Sequence, residues 1–89
     1  MTSLILAELI KEKKEIEEAI QICNDNINIY YDRIKISNNR SYITDQKNFI
    51  INDENNINVY YKKLKIINEK IDDKLFIDNL KNNFLKSKK

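Results

Sequence analysis

Not one residue of this chain is glycine or proline. Those two types usually make up about 12% of a protein, so about ten would be expected here. Tight hairpin turns between strands rely on residues that accept positive φ, and without glycine such turns are hard to build. Phosphate-cradling loops of the dinucleotide-binding and P-loop kinds are excluded outright, because their backbone must approach a pyrophosphate closely. Nothing in the chain stops a helix the way proline or an interior glycine does, so the expected class is all-α.

The apolar residues supply the period. Leu6, Leu9, Lys13, Ile16, Ile20, Cys23, Ile27, Tyr30 and Ile34 recur in alternating steps of three and four, with Lys13 the one polar member. A stripe of this kind over four heptads is the seam of a coiled-coil-like helix. In heptad letters, Leu6, Lys13, Ile20, Ile27 and Ile34 stand at a, and Leu9, Ile16, Cys23 and Tyr30 at d. Thr2 or Ser3 would cap its start. Ser37-Asn38-Asn39-Arg40-Ser41 interrupts the pattern with turn-forming residues, among which asparagine tolerates the left-handed conformation best. Ser41 or Thr44 would cap the next helix.

The period resumes at Ile43, Gln46, Ile50, Asp53, Ile57, Tyr60, Leu64, Ile67 and Ile71. Asn52-Asp53-Glu54-Asn55-Asn56 is a polar step where that helix would kink or break. After Ile71 the phase is lost. Asp72-Asp73 precede a new apolar set, Leu75, Phe76, Ile77, Leu80, Phe84 and Leu85, which reads as a slipped continuation or a short third helix. The lysine-rich end suits a helix C-terminus.

Folded as an antiparallel hairpin about Arg40, the seams meet with every a position facing a d position. Ile20 meets Tyr60 and Ile16 meets Leu64. The same register sets Glu15, Glu17 and Glu18 level with Lys62, Lys63 and Lys65. Residues 1–25 sum to −3 and residues 60–89 to +5, so the charge asymmetry supports antiparallel pairing. The fold expected is all-α: an antiparallel two-helix coiled-coil-like hairpin with its turn near 37–41 and a short third helix at 73–87. Dimerisation would complete it into a helical bundle. All 89 residues form one helical domain, with helix one at about 3–36, helix two at about 42–71 kinked near 52–56, and a C-terminal helical segment at about 73–87.

Two further patterns concern the outer faces. Asn26–Ile36 and Asn56–Ile66 agree at seven of eleven positions and in heptad register. A second apolar stripe lies at c, formed by Ile22, Ile29 and Ile36 in helix one and by Val59 and Ile66 in helix two. A two-helix hairpin buries one stripe per helix, so a second stripe requires a further helix or a second copy to cover it.

Composition narrows the chemistry. There is no histidine and a single cysteine, Cys23. Zinc sites and Ser–His or Cys–His catalysis therefore have no residues to use, and no catalytic, metal or cofactor site is expected. Glu8, Glu12 and Glu15 stand at helical neighbour spacing but on a polar, lysine-rich face, which suits solvation rather than acid–base work. Cys23 reads as a small buried hydrophobe. Residues 1–10 lack the basic start and cleavage site of a signal peptide, and no run approaches about 20 apolar residues, so a cytoplasmic location is expected. The abundance of isoleucine, asparagine and lysine points to an A/T-rich genome, bacterial, phage or viral.

The role expected is therefore that of a non-enzymatic protein–protein interaction module. It would self-associate and bind another protein through Ile22, Ile29, Ile36, Val59, Ile66, Leu75, Phe76, Leu80 and Phe84. Phage- or plasmid-borne adaptors, inhibitors and immunity proteins share this size and build. The alternative is nucleic-acid binding by Tyr60, Tyr61, Lys62, Lys63, Lys65 and the lysine-rich C-terminal third. Membrane-surface binding by residues 74–89 is the weaker amphipathic reading, and no small-molecule substrate is expected. In length and helix–turn–helix plan the chain resembles small secreted hairpin proteins marked by a Trp-x-Gly turn. It has neither residue type, its turn is Asn38-Asn39-Arg40, and the resemblance covers shape alone.

Overall fold

The structure, a computed structural model, describes residues 4–87. Among them the chain forms two helices, α1 (Leu4–Ile36) and α2 (Arg40–Ser87), and no strand. They pack together as an antiparallel hairpin measuring 75 × 17 × 16 Å. At 1.5 Å per residue α1 is about 50 Å long and α2 about 72 Å, so the length of the molecule is that of α2. The N-caps expected at Thr2 or Ser3, the Leu85 side chain and the terminal Lys88 and Lys89 lie outside the described residues.

The seam is where the spacing puts it. Every predicted seam position from Leu6 to Ile34, and from Ile43 to Ile71, is buried or half-buried. Ile16, Ile20 and Ile67 form the central cluster, with Ile57, Tyr60, Leu64 and Ile71 packed against it. Toward the turn the Tyr30 and Phe49 rings meet at 5.5 Å between centroids, and the Arg33 guanidinium stands 5.8 Å over the Tyr30 ring. The ring pair, which crosses from α1 to α2, fits the register about Arg40.

The structure bears on four expectations. First, of the two readings of 73–87, a slipped continuation and a third helix, it takes the continuation, and these residues do not fold back on the c stripes. They continue α2, whose seam simply becomes polar: Lys74 and Asp78 hold the next two inward positions, half-buried, with Lys74 Nζ 3.3 Å from Asp78 Oδ1. A helix does not need an apolar seam to continue when nothing stops it, and this i,i+4 pair supports the extension. Second, 52–56 makes no break in α2. Third, no described residue takes positive φ, so the turn uses no left-handed asparagine. Fourth, the cap of α2 is Asn39, not Ser41 or Thr44. Asn39 Oδ1 accepts the Tyr42 N–H at 3.2 Å, and the Ile43 N–H donates to the Asn39 carbonyl at 3.0 Å. That is N-cap geometry, with the third helical N–H satisfied by the side chain. Ser37 Oγ accepts the Asn39 N–H at 3.2 Å, closing the three-residue loop from the other side. At the end of α1, Arg33 and Lys35 lie where the helix dipole favours cations.

Candidate functional site

In an α-helix with residues 100° apart, heptad position c adjoins g, and b adjoins e. An antiparallel pair sets g against g and e against e. One broad face of the hairpin should then carry both c stripes, and the grooves of the molecule agree. One groove is lined by Ile5, Leu9, Lys70, Asp73, Lys74 and Ile77, and another by Glu12, Lys63, Ile66, Ile67 and Lys70. Ile5, Glu12, Lys63, Lys70 and Ile77 are all g positions, from both helices. A third groove, lined by Tyr31, Ile34, Lys47, Ile50, Ile51 and Glu54, marks the e side.

The residues singled out as a partner surface therefore divide. Ile22, Ile29 and Ile36 of α1, with Val59, Ile66 and Leu80 of α2, belong to the g-side face, and all six are exposed. Phe84, at g and 59% exposed, continues it. Ile22 and Val59 lie level with each other across the hairpin. Leu75 stands at e, on the opposite broad face, and Phe76 at f, on the back of α2; both are exposed, but the fold does not bring them to the c stripes. Ile77, one of the apolar set after Asp72, and Phe49, which the letters alone do not assign to this surface, join it at g, 45% and 48% exposed. The signal for Phe49 is weak, since the c positions beside it are Asp45 and Asn52.

The nucleic-acid set does not form one stripe either. Tyr60 packs on the seam cluster, and Lys63 Nζ stands 5.9 Å from the centre of its ring. Tyr61, Lys62 and Lys65 are exposed at e, f and b, spread around the outside of α2.

Polar groups in the seam are few and under-satisfied. Gln46 is buried, and its Oε1 has no hydrogen-bond partner among the described residues; the same holds for Asp53 Oδ2. Cys23 is buried, and its thiol pKa is raised by that burial first and by the nearby Asp53 charge second. A thiol in such a place is a poor nucleophile. Lys13 is half-buried, with Nζ 4.0 Å from Glu17 Oε1, a contact too long and too exposed to contribute much. Glu8, Glu12 and Glu15 are exposed. No group of histidine, cysteine, aspartate and glutamate side chains among the described residues could hold a metal ion, and no described helix is long and apolar enough to cross a membrane. Comparison with known proteins finds no matching family model, no matching curated protein and no matching solved structure.

Proposed function

We propose that this chain is a non-enzymatic interaction module, a helical hairpin that self-associates and binds another protein. One observation carries the reading: the hairpin leaves too much surface open. Its accessible surface is 7305 Å². A globular monomer of this mass would expose about 5,500 Å². No described side chain is fully buried, so the seam is a thin core. Many large apolar residues are exposed, several of them gathered on one broad face. Exposed apolar patches of this kind mark surfaces that bind protein.

The role is that of an adaptor, inhibitor or immunity-type protein, acting in the cytoplasm of a bacterium or of a phage or virus host. The abundance of isoleucine, asparagine and lysine supports the source, and the role rests on the open surface and the small hairpin build. The nucleic-acid alternative has less support, since one of its two stacking rings, Tyr60, is engaged in the seam. Sedimentation equilibrium of the full chain at micromolar concentration tests the proposal. A mass of two chains is expected, and a mass of one chain at tens of micromolar would overturn self-association.

A further inference from the structure

The outer face of α2 carries a second heptad that the seam does not use. From Val59 to Phe84, c and g positions follow in alternating steps of four and three. Read backwards, the same stripe complements itself. Laid antiparallel on its own copy, with the midpoint between Ile71 and Asp72, it sets Val59 against Phe84 and Ile66 against Ile77. Lys63 faces Leu80, and at the centre Lys70 faces Asp73 twice.

We infer that two copies of this chain associate through these stripes, α2 against α2 in antiparallel fashion, about a twofold axis flanked by reciprocal Lys70–Asp73 pairs. The inference rests on the self-association proposed above and specifies its geometry. An antiparallel contact between identical helices is twofold by geometry, and what singles out this register is that it sets apolar residues against apolar ones and Lys70 against Asp73. Charge agrees with shape. Lys70 and Asp73 are exposed, line the same groove beside Ile77, and their side chains have no hydrogen bond or ion pair among the described residues. Each finds its opposite in the other copy.

Space also permits it. The c/g direction lies about 110° around α2 from the seam direction at 100° per residue, so the second α2 sits beside α1 rather than in its place. The paired stretch is about 39 Å long at 1.5 Å per residue. The overhanging end of α2, beyond the described start of α1, then lies along the partner, with Phe84 of one copy over Val59 of the other, level with Ile22. Lys63 lays its stem against Leu80 while its ammonium reaches out, as long cationic side chains do. The open surface is sufficient: the hairpin exposes roughly 1,800 Å² beyond a globular monomer, and a stable interface takes about 800 Å² from each partner.

The test is an exchange of charge between two full-length variants. Lys70→Asp alone, and Asp73→Lys alone, place like charges across the axis, and each is expected to weaken dimerisation at least about tenfold by sedimentation equilibrium. In an equal mixture of the two, one copy brings a carboxylate at both positions and the other an ammonium at both. Opposite charges then meet in both pairs across the axis, and a dimer with the wild-type dissociation constant is expected. Circular dichroism of each variant should match the wild type, since both side chains are exposed. Variants that dimerise like the wild type, or a mixture as weak as its components, would overturn this geometry while leaving self-association standing. A monomeric wild type would overturn both.

Discussion

The helix α2 (Arg40–Ser87) is a different object on either side of Asp72. Up to Ile71 its inward positions are apolar or polar, with Gln46 buried and Asp53 half-buried, and it folds against α1. Beyond Asp72 the inward positions are Lys74, Asp78 and Lys81, while Ile77, Leu80 and Phe84 have moved to the g and c positions and are exposed. The backbone does not change; the apolar phase turns around it. The first stretch closes the chain on itself, and the second leaves its apolar residues exposed. Helix continuity and helix pairing are thus separate properties, the one set by the absence of breakers and the other by where the apolar stripe points.

Two adjacent isoleucines give this contrast its sharpest form. Ile67 is 4% exposed in the seam, and Ile66 is 52% exposed on the outer stripe. Ile67→Ala is expected to cost about 2–5 kcal/mol in urea unfolding, the range for emptying a packed site. Ile66→Ala should cost the monomer less than about 0.5 kcal/mol and act instead on the concentration dependence of the transition. Equal losses at low concentration would erase the distinction between inner and outer stripe.

Next in size is Asp53. Its buried, unpartnered carboxylate oxygen is a cost that the seam carries. Asp53→Leu should raise the unfolding free energy by about 1–3 kcal/mol, read as a higher urea midpoint at an unchanged slope. It should also free the helices to slide or to pair with other chains, because a polar seam residue restricts register. A destabilised variant would mean that Asp53 has a partner in solution.

The cap comes third. Asn39→Ala removes the acceptor for the Tyr42 N–H and should cost about 1 kcal/mol, whereas Ser41→Ala and Thr44→Ala should each cost less than about 0.5 kcal/mol. The smallest effect concerns Cys23, whose thiol pKa is raised by burial and then by Asp53. A raised pKa favours the protonated thiol in the folded state. Its contribution to stability is complete below the unfolded-state pKa and fades as pH rises through the folded one. Alkylation of Cys23 by iodoacetamide should therefore be slower, and begin at higher pH, in buffer than in urea; identical profiles would place the thiol in solvent.

The seam could be read residue by residue because burial in a helix pair follows from spacing alone, and Leu6 to Ile34 and Ile43 to Ile71 kept that spacing. The turn region could be read for the same reason in reverse. Asn39 could not be picked from its neighbours as the cap, since Ser37, Asn38, Asn39, Ser41 and Thr44 all carry suitable oxygens and the geometry of the loop decides among them. The letters leave the end of α2 open between a continuation and a third helix, because loss of phase at Asp72 resembles the end of a helix; in the structure it is a rotation of the stripe. Of the outer surface, the c positions were plain from the letters. That both stripes share one face, while Leu75 and Phe76 do not, required the antiparallel g-against-g contact to be seen.

Hydrogen exchange on the full chain, measured below and above the concentration of association, tests the contrast most directly. Amides of residues 50–71 should be protected at both concentrations, because their helix is paired within the chain. Amides of residues 77–84 should exchange quickly when dilute and become protected at high concentration, because their pairing lies between chains. Protection of 77–84 that is the same at both concentrations would contradict the account.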